Sequence, residues 1–345
     1  MRAITTAGSG GPVDPGFPLR VSRRDRPRII RLPAGAFAIA AEARGAEVIY
    51  SIGMYARSAL ASTLVRVPLV LKLSDDPAYL RARSLGVFSG TLEEFQQPQR
   101  KPVVRALKRL RLFALSRASR LIVPSRYLAE IAGRWGLPAA RISVIPNPAP
   151  PIDRSISRDA LRARLGVRSP TFVFAGRLVP AKNLSLAISA LREVRDGSLV
   201  VIGDGPSRAE LMSAIAASGL GERVAMKGAL PRSETVDWLR AADAAILPSD
   251  WENFPHSAVE ALVAGTPVIA TAVGGMPEIV NSGVNGILVP ARDVEAFGRA
   301  MIAVVEDRSL LERLREGTRP AATRYEVGAA FAAIERELTL ALGAS

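Results

Sequence analysis

From Ala46 onward the chain alternates short apolar runs with amphipathic helical patterns, and no other feature of the sequence restricts the fold as much. The runs "EVIYS", "PLVLKL", "RLIVPS" and "ISVIP" in the first half are short, rich in branched residues and bounded by breakers. So are "TFVFAG", "LVVIG", "RVAMKG", "AAILPS", "TPVIAT" and "NGILVP" in the second, which marks all of them as buried strands. Between them lie helical patterns such as residues 183–194, where Leu184, Ala187, Ile188, Leu191 and Val194 fall on one face. Strands that are apolar throughout need cover on both faces, so the expected class is α/β, with doubly wound parallel sheets flanked by helices.

The run "IPNPAPPID" is too rich in proline for regular structure and falls where the charge balance changes. Residues 1–150 carry 24 Lys and Arg against 9 Asp and Glu, a balance of +15, whereas the whole chain carries +14. A boundary here divides the chain into a first domain, 1–148, a second, 149–322, and a C-terminal helical segment, 323–345, expected to pack back on the first domain. In such folds ligands bind beyond the carboxyl ends of the strands.

Composition removes several classes of function. With no cysteine and one histidine, His256, there is no thiol nucleophile, disulfide framework or structural zinc set. Apolar runs such as "AGAFAIAA" and "TPVIATAV" are well short of the roughly 20 residues a spanning helix needs, and "MRAITTAGSGGPVDPG" does not read as a signal peptide. The expectation is a cytoplasmic body, peripheral at most on the inner face of a membrane. Residues 99–120 hold eight basic side chains and no acidic one. With Val103, Leu107, Leu110 and Ala114 at helical spacing, this segment reads as a basic amphipathic helix: a packed helix with solvated arginines, or one that touches anionic headgroups. Nucleic acid is not the expected partner, because no helix-turn-helix or zinc finger is visible and aromatics make up only 5% of the chain.

The chemistry gathers in loops that follow strands of the second half. "GRLVPAKN" sets Arg177 and Lys182 beside Gly176, just before a helix whose free amides attract anions. "GDGP" offers Gly203 and Gly205, either for close approach by a ligand or as a plain turn. "KGAL", Lys227 to Leu230, follows the next strand. "ENFPHS" leads into a helix near Pro255, His256 and Ser257, and "GGMPE" adds another flexible helix start. Arg177, Lys182 and helix amides attract a diphosphate, whereas Glu252 and Glu260 would repel it and so should face hydroxyls, as the acidic residue of a dinucleotide site faces ribose. A diphosphate flanked by two polyhydroxyl groups is a nucleotide sugar.

In these motifs, and in "EALVAGTPVIAT", "GGMPEIV" and "GVNGILVP", residues 172–290 resemble the retaining glycosyltransferases of family 4, which have the GT-B fold of two Rossmann-like domains. "RASRLIVPSRYLAEI" and "ISVIPN" in the first half are similar to the family's equivalents, less specifically. The resemblance implies a metal-independent hexosyltransferase using a UDP-, GDP- or ADP-sugar, with no further cofactor. Arg177 and Lys182 would stabilise the diphosphate leaving group, Glu252 would contact the donor sugar, and Glu260 would hold the ribose. Gly176, Gly203, Gly205 and the backbone of Phe254, Pro255, His256 and Ser257 would line the donor, and Lys227 to Leu230 would border the base. The acceptor would be a cell-envelope, lipid-linked or small glycan.

The first half departs from the family pattern. "RAITT" reads as the family's second strand, since the prolines and glycines of residues 11–18 cannot form the helix that follows the first. The first strand, loop and helix are therefore expected to be missing, through a mis-called start, a fragment or a shortened domain. Tyr50 and Ile52 stand where relatives carry histidines. "KLSDD" replaces their "HD", so that Lys72, Ser74, Asp75 and Asp76 are the candidates for the acceptor side. A nucleotide-sugar-binding protein without turnover is the alternative reading.

Overall fold

The computed structural model describes residues 3–7, 19–23, 28–167 and 170–343. Tertiary contacts divide the chain into two units, Met1–Ile145 together with Phe331–Ser345, and Pro146–Ala330.

In the first unit β1 (Ala3–Ala7) and β2 (Leu19–Arg23) pair in parallel as a sheet of their own. The sequence reading found β1 in "RAITT" but not β2, whose short apolar alternation is hidden between a proline and a basic run. Residues 8–18, whose prolines and glycines carried the expectation of a missing unit, lie outside the described residues. A second sheet runs β3 (Ile49–Ile52), β4 (Leu69–Lys72), β5 (Arg120–Val123) and β6 (Ile142–Val144), all parallel and in that order. One face is closed by the last helix, Val327–Leu342, whose Ala333, Ile334, Leu338 and Ala341 meet Val70, Ile122 and Ile145. Arg120 Nε donates to Glu337 Oε2 of that helix at 2.6 Å. Helix Tyr55–Val65 lies against β3 and β4 and also packs on helix Pro102–Ser116.

Helix Pro102–Ser116 is the basic amphipathic helix of the sequence, but its inward face is rotated from the expected one. Val104, Arg111, Ala114 and Leu115 are buried, whereas Val103 and Leu110 are 48% and 46% exposed. The cause is Arg111, which points inward, ion-paired with the buried carboxylate of Asp76 and stacked 3.9 Å from the Trp135 ring centroid. A buried arginine reads as polar in any periodicity count, and here it lies near the middle of the core face.

The second unit holds the ten-strand pattern's remaining runs in one parallel sheet: β7 (Thr171–Ala175), β8 (Ser198–Ile202), β9 (Val224–Gly228), β10 (Ala244–Leu247), β11 (Val268–Thr271) and β12 (Gly286–Val289). Their order is β12-β11-β10-β7-β8-β9. Alternate residues feed two cores. Phe172, Phe174, Leu199 and Val201 meet Phe297 and Met301 on one side; Val173, Val200 and Ile202 share the other with Trp238, Val259 and Leu262. The expected α/β class with parallel sheets between helices is what the chain adopts; the order reversal of a doubly wound sheet is present in the second unit, whereas the described strands of the first run β3-β4-β5-β6 in sequence beside the separate β1-β2 pair.

Candidate functional site

Strand order decides where a ligand can sit in the second unit. The chain leaves β7 for β8 and β9, then returns to lay β10 against the other side of β7. The loops after β7 and β10 therefore diverge at a topological switch point, where the carboxyl ends of a doubly wound sheet leave a crevice.

Lys182 ends a single 3-10 turn, Pro180–Lys182, and Asn183 follows in the left-handed region at φ 44°. Asn183 Nδ2 donates to Asp250 Oδ1 at 3.0 Å, and the Asp250 amide donates to the Ala181 carbonyl at 2.9 Å, which lashes the two loops together. Across this seam Lys182 Nζ is ion-paired with Glu252 Oε1. Glu252 is 6% exposed. Its carboxylate also accepts from Ser249 Oγ at 2.7 Å, and its carbonyl accepts from the Gly275 amide at 3.1 Å. Thr271 at the end of β11 holds Ser249 in turn, through its hydroxyl to the Ser249 carbonyl. The sequence reading gave Lys182 to phosphate and Glu252 to sugar as separate tasks; the structure makes them partners.

Beyond Glu252 the chain turns into helix His256–Ala264, with Pro255 at the cap position, where it offers no side-chain capping hydrogen bond. The amides of a first turn lack partners inside the helix and carry the positive end of its dipole, which suits a phosphate. His256 is exposed, Ser257 half-buried, and Phe254 and Pro255 buried. Phe254 stands edge-on to Tyr325, ring centroids 6.1 Å apart, which fixes the loop from below. Burial pushes the Tyr325 hydroxyl pKa up. One turn into the helix Glu260 accepts from Arg232 Nε at 3.0 Å, while Arg232 Nη2 donates to the Pro150 carbonyl at 3.2 Å. Arg232 opens helix Arg232–Ala241, just past the segment holding Lys227 and Leu230. Lys227 is exposed, its ammonium 5.2 Å from the Trp238 ring centroid, and Leu230 is half-buried.

The glycines of "GDGP" answer to a packing need inside the protein. Gly203 has φ 133°, and a Cβ there would lie 1.8 Å from the Gly176 carbonyl oxygen; at Gly205 it would lie 2.3 Å from the Leu178 oxygen. The Leu178 amide donates to the Asp204 carbonyl at 2.9 Å, and the Gly203 amide to the Gly228 carbonyl at 2.7 Å. Backbone of the β7, β8 and β9 loops thus touches directly, and Arg177 projects from that rim into solvent. Three separate links result: Lys182 with Glu252 across the loops after β7 and β10, Gly203 against Gly176 across those after β8 and β7, and Glu260 with Arg232 between the helices after β10 and β9.

The first-unit candidates separate. Lys72 ends β4, half-buried, and burial lowers its ammonium pKa; Ser74 is exposed and Asp75 half-buried. Asp76 has a structural task instead. Fully buried, it caps helix Pro77–Ser84 by accepting from the Ala78 amide at 2.8 Å, accepts from Gln96 Nε2 at 3.2 Å, and pairs with Arg111. Both of its oxygens are committed to these partners inside the unit, which leaves neither to face an acceptor.

Reading the sequence missed Arg232, Ser249 and Asp250. The only available signals were a cation after Pro231 and a serine closing an apolar strand, both too common to single out. Among the described residues no cluster of His, Asp or Glu side chains is arranged to hold a metal ion.

Two units of parallel sheet covered by helices, the second doubly wound with the Lys182–Glu252 pair and a helix start at its switch point, have the architecture of the GT-B class of glycosyltransferase folds. Residues 2–148 match the family described as "Glycosyl transferase 4-like domain", and residues 157–320 the family "Glycosyl transferases group 1". The two family models together cover most of the chain, which belongs to the glycosyltransferases that combine a 4-like domain with a group 1 domain. It is 36% identical over 230 residues to a D-inositol 3-phosphate glycosyltransferase of Xylanimonas cellulosilytica, covering 62% of this chain and 55% of the relative. A 2-deoxystreptamine glucosyltransferase of Streptomyces kanamyceticus is 33% identical, covering 69% of this chain and 65% of the relative. The matches thus span little more than half to two thirds of these relatives. Among solved structures, Anabaena HepE in complex with UDP-glucose aligns over 98% of this chain and 99% of its own at a TM-score of 0.78 and 22% identity. Sucrose-phosphate synthase of Thermosynechococcus elongatus aligns over 96% and 83% at a TM-score of 0.76 and 22% identity. At such identities these likenesses speak for the fold.

Proposed function

We propose that this chain transfers a hexose from a nucleoside diphosphate sugar to a hydroxyl of a cell-envelope, lipid-linked or small glycan acceptor, with retention at the anomeric carbon. The observation that carries the reading is the Lys182–Glu252 pair across the β7/β10 switch point, beside the start of helix His256–Ala264. A diphosphate at that point meets an ammonium and first-turn amides, and the exposed guanidinium of Arg177 lies on the same rim. Glu252, freed from Lys182 as phosphate takes its place, turns its second role toward sugar hydroxyls, and Glu260 accepts from ribose.

Transfer then needs no separate base from the protein. The bond from C1 to the β-phosphate oxygen breaks, the acceptor oxygen bonds to C1 from the same face, and the acceptor proton goes to the departing phosphate oxygen. Arg177, Lys182 and the helix dipole stabilise the charge that develops on that leaving group. The solved relative that holds UDP-glucose makes UDP the first nucleotide to test.

Calorimetry with UDP and UDP-glucose on the wild type, Lys182→Ala and Glu260→Ala checks the site. Each substitution is expected to weaken donor binding by about 1–3 kcal/mol, the worth of a charge-assisted hydrogen bond. Unchanged affinity in both refutes the assignment. Donor binding without transfer to any supplied glycan acceptor leaves the binding-protein reading in place of the enzyme.

A further inference from the structure

The rotation of helix Pro102–Ser116 has left a second apolar stripe on its outer side. Val103, Ala106, Leu110 and Phe113 are all exposed and follow one another at steps of three, four and three, which stacks them along one line of the helix. Val103 is 48%, Leu110 46% and Phe113 37% exposed. Arg105 and Arg109 are exposed beside the stripe, and Arg117 holds its guanidinium 5.2 Å from the Phe113 ring centroid. Four other cations of the segment have structural partners: Arg111 pairs with Asp76, Arg120 with Glu337, and Lys101 Nζ and Lys108 Nζ donate to the Val87 and Gln97 carbonyls, each at 2.8 Å. Arg105, Arg109 and Arg117 are exposed along the helix and its end, as is Arg100 just before it, and the segment has no carboxylate of its own to neutralise them.

A helix anchored on one side by its own core and carrying a narrow apolar line edged by arginines on the other has the geometry of an interfacial helix. The apolar line is narrow, and the arginines beside it form a patch of one sign with no carboxylate in the segment, which suits an extended anionic surface. An acyl-chain boundary beneath anionic headgroups satisfies both halves: the apolar side chains enter the acyl edge while arginine stems lie along it and their guanidinium groups meet phosphates. We propose that this outer face docks the chain on an anionic lipid bilayer, with Val103, Leu110 and Phe113 inserted and Arg105, Arg109 and Arg117 on the headgroups. The surface belongs to the first unit and does not depend on how the second unit holds a donor.

Co-sedimentation of the full chain tests this with vesicles of phosphatidylcholine alone and of phosphatidylcholine mixed with phosphatidylglycerol. Binding to the mixed vesicles and not to the neutral ones is expected, weakening as salt is raised. Arg105→Gln with Arg109→Gln is expected to lower the partition coefficient about thirtyfold, each arginine near an anionic surface being worth about 1 kcal/mol. Leu110→Ser with Phe113→Ser is expected to lower it about tenfold or more with salt sensitivity retained. These side chains are exposed, so both variants fold, which an unchanged UDP affinity and melting temperature verify. Equal binding to both vesicle types, no loss in either variant, or preferential binding to duplex DNA over the anionic vesicles overturns the proposal.

Discussion

Replacing Glu252 with glutamine separates competition from cooperation at the switch point. The substitution keeps the shape and an acceptor for Ser249 Oγ, 2.7 Å away, and removes only the charge that faces Lys182. The side chains of Lys182 and Glu252 are 23% and 8% exposed, so the pair lies in an intermediate medium, where unit charges 4 Å apart attract by about 4 kcal/mol before desolvation is counted. After that deduction a net 1–2 kcal/mol is the reasonable remainder. A diphosphate that takes over Lys182 must displace that attraction and also approaches a carboxylate. In Glu252→Gln both obstacles are gone, and UDP is expected to bind about 5- to 30-fold more tightly. Lys182→Ala moves the affinity the other way, and its effect should be larger in the glutamine background than in the wild type. Titration calorimetry with UDP on the two single variants and the double variant completes the cycle. If Glu252→Gln weakens UDP as much as Lys182→Ala does, the carboxylate holds the ammonium in place for phosphate instead of competing with it, and the reasoning fails.

Gly203→Ala would place a Cβ 1.8 Å from the Gly176 carbonyl oxygen at a φ of 133°, and a loss of at least about 3 kcal/mol of stability is expected in urea unfolding; a loss under about 1 kcal/mol would show that the two loops part easily. Arg111→Ala strands the buried Asp76 carboxylate, for which about 3–5 kcal/mol and an earlier thermal transition are expected, whereas Arg117→Ala at the surface should shift neither. Burial raises the Tyr50 pKa from 10.0 to about 12. The folded state therefore keeps a proton that the unfolded state sheds near pH 10, and that stabilising difference is lost as pH rises from 10 to 12. The wild type should lose more stability than Tyr50→Phe across this window, and parallel pH profiles of the unfolding midpoint would contradict it.

Strand positions were legible because they are written locally. Ten apolar runs bounded by breakers announce ten strands, and β1 and the glycine-rich loops could be read the same way. β2 escaped because its alternation is only five residues long and adjoins arginines. The outward face of helix Pro102–Ser116 escaped for a related reason. Periodicity assigns every apolar residue to the core, Val103 and Leu110 included, whereas Arg111, drawn in by Asp76, sets the rotation. Asp76 itself reads in "KLSDD" as a candidate for the acceptor side and is a helix cap, a distinction that depends on an arginine 35 positions away.

The sequence by itself determined the order of strands and helices, the concentration of positive charge in the first half and the strand ends that carry chemistry. These follow from hydrophobic period, backbone breakers and charge count, none of which needs a distant partner. Tertiary structure decided which side chains act together. Lys182 and Glu252 lie 70 positions apart and meet only because β10 returns beside β7; Glu260 meets Arg232 only because the helices after β9 and β10 share one face of the sheet. A salt bridge reaches no farther than a few ångströms, so the pairing of charges is fixed by strand order, and strand order is a property of the folded sheet.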